Sequence, residues 1–199
     1  MYYGNPKNTG FEMGINFLDA YASKKEEINY FNTRRPYSKV FFLMGSKEEQ
    51  ILNVLHSQNI GKSFNAGLNY TNILSTGFYK RQKTRGNDFH FHSQYETKNK
   101  LYGNFANFIY HKMIVEENGG LISDFYFENL DSIRKDAIRV SIQDASNLYN
   151  KKSYYLKQYL NFGKREDIFD TKDSVNRSIV SPLVRLAHTF SFEKQIYSY

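Results

Sequence analysis

Along much of this chain apolar and polar residues alternate with a period of two. In Phe64 to Thr71, Phe64, Ala66, Leu68 and Tyr70 share one side, and Asn65, Gly67, Asn69 and Thr71 share the other. A strand sends successive side chains to opposite faces, so this stretch has one apolar side and one wet side. Two architectures produce that pattern. One is a half-buried strand of a soluble sheet. The other is a barrel strand in an outer membrane, with lipid on one face and a lumen on the other.

Strands are expected over Tyr37 to Met44 and, less cleanly alternating, over Gln50 to Gln58, and the same periodicity predicts strands from Phe64 toward Tyr79 and over Phe89 to Thr97. It continues over Leu101 to Met113, Tyr154 to Phe162 and Val184 to Phe192. In the fourth of these, Phe89, Phe91, Ser93 and Tyr95 oppose His90, His92, Gln94 and Glu96. In the fifth, Ala106, Phe108 and Tyr110 oppose Asn107 and His111. In the last, Val184, Leu186, Phe190 and Phe192 oppose Arg185, Ala187, Thr189 and Ser191.

The expected organisation is an irregular lead-in over residues 1–35 and an antiparallel β-meander over 36–199, with one long irregular loop at 115–150. The lead-in carries a short alternation at Phe11 to Phe17, and a short helix is expected around Asp131 to Ile138. The fold class is therefore all-β: a transmembrane barrel or part of one. The connections of one parity are 45–47, 80–87 and 115–150, and those of the other are 59–62, 98–100 and 164–181. Long loops on one side and short turns on the other would suit an outer-membrane barrel, although 45–47 and 164–181 depart from the rule.

Composition narrows the choice. Across 199 residues no run approaches the roughly 20 apolar residues of a spanning helix. With 17 Tyr, 17 Phe and no Trp, the aromatic content suits interfacial girdles as well as aromatic-rich soluble sheets. The chain has no Cys, which excludes disulfides, thiolate metal sites and a cysteine nucleophile.

The net charge of +7 would suit anionic lipid, lipopolysaccharide, nucleic acid or an anion-selective lumen. Lys and Arg are interleaved with acids, which argues against nucleic acid. The tightest basic cluster, Lys80 to Arg85, sits beside Gly86-Asn87 and reads as a loop tip.

Candidate chemistry is sparse. His90 and His92 with Glu96 could ligate a divalent metal, but the row reads better as polar lining. Asp167, Asp170 and Asp173 lack the glycine and terminal Glu of a calcium loop. His188 falls on the apolar face, where it reads as a partly buried interfacial histidine. No nucleophile elbow, phosphate-binding loop or zincin motif occurs, so neither an enzyme nor a cofactor is expected.

Several stretches carry a family resemblance: Tyr30 to Tyr37, Gly45 to Gln50, His56 to Asn59, Tyr79 to Arg85, Ala106 to Tyr110 and Glu116 to Gly120. Together they resemble the Bacteroidetes putative porin family, from about residue 30 to the end. The resemblance implies an outer-membrane location and a barrel architecture. Family members are longer and begin with a signal peptide, so the chain reads as an internal fragment that would not close a barrel alone.

The resulting expectation is a porin-like channel for passive diffusion of small polar solutes, with outer-membrane lipid and lipopolysaccharide as its surroundings. The expected pore-lining residues are Asn65, Asn69, His90, His92, Gln94, Glu96, Lys157 and Arg185, with Lys112 a further strand-borne cation. The competing expectation is a soluble or surface-exposed aromatic-rich β-sandwich or barrel acting as a binding module.

Overall fold

A computed structural model describes residues 18–123, 125–128, 134–170 and 175–199. They form one seven-stranded sheet in which each strand pairs with the next along the chain. The strands are β1 (Tyr37–Met44), β2 (Gln50–Ile60), β3 (Phe64–Ser75), β4 (Thr84–Glu96), β5 (Tyr102–Glu117), β6 (Ala145–Asp170) and β7 (Val175–Ser198). Every pairing is antiparallel, and β1 and β7 are left as edges, so the sheet is not closed. No helix among the described residues is long and apolar enough to cross a membrane.

The all-β meander expected from the sequence is thus present, with some boundaries moved. Gly86 and Asn87 lie inside β4 rather than in a turn. The inward side of Gly86 lies in ordinary contact range of Ile73 and Met113. The 164–181 connection is largely strand: β6 and β7 stay paired out to Asp170 and Val175. The long loop is trimmed to 118–144, because Glu117 pairs with Ala145. It holds one helical turn, Phe125–Glu128, a 3-10 turn at Lys135–Ala137, and a bridge between Leu121 and Val140. The Phe11 to Phe17 alternation, Asp173 and residues 131–133 of the expected helix lie outside the described residues.

With these boundaries the connections sort by end. One end carries 45–49, 76–83 and 118–144, and the other carries 61–63, 97–101 and 171–174. The β6–β7 hairpin projects past its neighbours at the second end. It bends at a register shift beside Gly163, where an added Cβ would collide with the Ser181 carbonyl. A bulge at a glycine re-aims a ribbon in this way. Beyond it, the Val180 amide donates to the Asn99 carbonyl at 2.9 Å, anchoring the hairpin on the β4–β5 turn.

Burial is inverted relative to a soluble sheet. Residues 18–33 cover one face, and that face is the polar one. Ser57, Asn65, Asp88, His90, His92, Asn107, His111, Lys151, Ser153 and Asn161 are all buried. The opposite face holds Val40, Phe42, Leu68, Phe91, Tyr154, Leu160, Val184, Leu186, Phe190 and Phe192, all exposed.

The exposed apolar residues form a slanting band. The cross-strand row through Phe42 passes Leu52, Asn72, Asn87, Lys112 and Asn150 to Ile196 on β7. On β1 the band is centred on Phe42. On β7 the run from Val184 to Phe192 is centred on His188, eight residues from Ile196 toward the short-turn end. At ~3.3 Å per residue along a strand and ~4.8 Å between strands, that offset over six gaps is a slant of roughly 40°. A closed membrane barrel tilts its strands about 35–45° to its axis, so a horizontal apolar slab would cross this sheet at that angle.

Candidate functional site

Residues 18–33 cross the polar face from the long-connection end to the short-turn end, and we term them the strap. At its start, Leu18 and Ala22 pack with Met113 and Tyr149 in an apolar cluster under the strap. The Tyr149 hydroxyl donates to Asp19 Oδ1 at 2.7 Å, and its ring stacks on Tyr197 at 4.4 Å between centroids.

Further along, Asp88 is the anchor. It accepts from the Ser23 amide at 3.0 Å, from the Ser23 hydroxyl at 2.5 Å and from His111 Nδ1 at 3.0 Å. A buried carboxylate is tolerable only with such partners. His90 Nδ1 lies 3.4 Å from the same Ser23 hydroxyl. Below it, Lys25 approaches Glu193 at 3.7 Å, and Glu193 approaches buried Lys151 at 3.4 Å. One carboxylate thus serves two ammonium groups.

The strap ends in a row of rings and amides. Asn107 Nδ2 donates to the Lys25 carbonyl at 3.2 Å and to the Tyr30 hydroxyl at 2.9 Å. Burial raises the Tyr30 phenol above its ordinary pKa, with the Asn107 bond opposing. Tyr30 stands edge-on to His92 at 5.7 Å and to Phe105 at 5.0 Å. Asn59 Oδ1 accepts from the Thr33 amide at 3.3 Å and from Asn65 Nδ2 at 2.5 Å.

All eight residues expected to line a pore share this polar face, as the register shows. Asn65, His90 and His92 are buried there rather than bordering open water. Asn69 accepts from Asn53 Nδ2 at 2.7 Å. Glu96 accepts from the Tyr159 hydroxyl at 2.8 Å, and Arg185 lies 4.4 Å over the Tyr159 ring while donating to Asn161 at 2.8 Å.

Lys112 lies on a strand as expected, and it pairs with Asn87 and Asn150 on the outward face. His188 also faces outward, beside Gln158, and is exposed rather than partly buried. No group of three or more metal-ligating side chains occurs among the described residues.

Sequence reasoning missed Asp88, Lys151 and the strap residues. Asp88 lies two before His90, so strand parity pointed to it, but the turn expected at Gly86-Asn87 hid it. Two inward glycines also went unread. Gly67 pairs with His92, and a Cβ on Gly67 would come within 2.5 Å of its Nε2. Gly103 likewise underlies the Tyr159 ring. At both places a ring lies flat across the neighbouring strand because glycine leaves room for it.

The family described as putative porin matches residues 1–199. The chain belongs to the putative porin family. Neither the curated proteins nor the solved structures include a match to it. For this putative porin the geometry is coherent at the family level: an all-antiparallel sheet, a wet face turned inward and an apolar face turned out. The arrangement holds and orients polar groups along a face.

Proposed function

We propose that this chain forms part of an outer-membrane, porin-like channel through which small polar solutes diffuse passively, and that it is not an enzyme. The exposed apolar band and its slant of roughly 40° carry the reading, because barrel strands must cross a lipid slab obliquely. A soluble binding module would cover its apolar face and wet its polar one; here the strap covers the polar face. The surroundings on this reading are outer-membrane lipid and lipopolysaccharide, with polar solutes inside and no nucleic acid.

Two details follow from the topology. The end with the long 118–144 connection would be extracellular, as in barrels with short periplasmic turns. Closure needs further strands. β1 and β7 point the same way, since seven strands alternate in direction, so pairing them directly would be parallel. An all-antiparallel ring needs an odd number of strands between them. Open edges do not survive in hydrocarbon, where each unsatisfied backbone group costs several kcal/mol.

Planar-bilayer recording tests the reading. Protein extracted in its assembled, heat-modifiable form from the membrane fraction of cells that make it should give discrete, ohmic conductance steps. Folded, inserted protein that passes no current would sink the channel assignment.

A further inference from the structure

Two polar cavities lie along the strap. One, of about 210 Å³, is bordered by Ser23, Glu27 and Asn29 of the strap with Leu55, Asn69 and His90. Leu55, Asn69 and His90 form one cross-strand row over β2, β3 and β4. The other, of about 240 Å³, opens at the short-turn end and is bordered by Asn59, Asn65, Gln94, Glu96 and Lys100. Asn59, Asn65 and Gln94 form the row two steps further along. Both cavities share a single lining residue, Phe31.

Between these rows runs the row of Tyr37, Ser57, Gly67 and His92, across β1 to β4. Ser57 and His92 are wholly buried, at 0% exposure. The Phe31 ring lies 6.0 Å from Tyr37 and 5.9 Å from His92. It therefore spans the row from β1 to β4, above the two smallest side chains in it. Both ring nitrogens of His92 are buried, so they offer a solute no polar contact at this level. An apolar ring inside a polar conduit excludes hydrated solutes by size and by dewetting.

We infer that Phe31 is the constriction of the permeation path, closing the polar interior between the two cavities and setting the size of solute admitted. The inference rests on the channel reading. The sequence alone does not show it, because Phe31 falls in an irregular segment with no period. The admitted class is small, neutral or weakly charged and polyhydroxylated or amide-like. Both walls carry amides among mixed charges: Asn29 and Asn69 on one side, and Asn59, Asn65 and Gln94 on the other.

The test is osmotic swelling of proteoliposomes carrying the assembled protein, with arabinose and raffinose as probes. Wild type should admit arabinose readily and raffinose slowly. Phe31→Ala should raise raffinose entry severalfold relative to arabinose, and Phe31→Trp should slow both. Tyr21→Ala, on the exposed side of the strap and bordering neither cavity, should change neither. A folded Phe31→Ala protein with the wild-type ratio overturns the constriction.

Should Phe31→Ala fail to assemble, the native chain's lack of cysteine allows a second route. In Phe31→Cys, a bulky methanethiosulfonate reagent should cut arabinose entry sharply, while the same reagent on Tyr21→Cys should not. Equal effects at the two positions overturn the assignment. If inserted wild-type protein admits no sugar at all, the channel reading falls instead, and with it this inference.

Discussion

On the outer side of β3, Leu68 stands exposed with Phe64, Ala66 and Tyr70 half-exposed around it. On the inner side of the same strand, Asn65 and Gly67 are buried under the strap. The two faces solve different problems. The outer one needs only to be apolar, so residue type matters there and partners do not. The inner one is polar and dry in places, so each group needs a specific partner. Asp88 has three, Glu193 has two lysines, and Asn107 reaches two strap groups. A change outside should therefore act through solvation, and a change inside through lost geometry.

The sharpest way to break that contrast is to place the same charge on each face. Leu68→Arg should cost roughly 2–4 kcal/mol if the site lies near the bilayer midplane. Asn69→Arg borders a polar cavity and should cost about 1 kcal/mol, through the lost Asn53 bond. Assembly yield and urea-induced unfolding in lipid vesicles would read both. Equal costs, or the reverse order, would exchange the faces and remove the membrane orientation.

The next effect concerns the strap. Asp88→Ala leaves the Ser23 amide, the Ser23 hydroxyl and the His111 ring without their shared acceptor. A buried donor left without an acceptor costs about 1–3 kcal/mol. Because the lost contacts hold a segment with no backbone ladder, the strap should loosen before the sheet does. Hydrogen exchange at the Ser23 amide should speed up strongly in Asp88→Ala while amides in the middle of β4 and β5 stay protected. Unchanged exchange at Ser23 would mean that the apolar cluster of Leu18, Ala22, Met113 and Tyr149 fixes the strap without Asp88.

The two faces also differed in what could be read from the sequence. Period-two alternation survives wherever one side meets an apolar medium. That is why all eight lining candidates fall on a common face. Residues 164–170 and 175–181 extend beyond the apolar band. Outside that band nothing enforces alternation, so a paired ribbon read as a polar loop. The strap was invisible for another reason. Its structure comes from contacts such as Ser23 with Asp88, 65 residues apart, and not from any local period.

The smallest expected effect is ion preference. The chain carries +7, but inside the sheet the charges largely answer one another. Lys25 and Lys151 meet Glu193, and Arg185 and Glu96 both engage Tyr159. Lys157 on β6 and Lys39 on β1 add positive charge to the inward face, and both are exposed. Lys112 faces outward, away from the polar face. Fixed cations along an aqueous path raise the local anion concentration, with screening over about 10 Å at 0.1 M salt. A weak anion preference at low salt should result, fading as salt rises, and Lys157→Glu should shift the reversal potential toward cations. Lys112→Glu, on the other face, should leave it where it was. A channel that is cation-selective at low salt, or that responds equally to both substitutions, would show that the inward face described here does not line the conducting path.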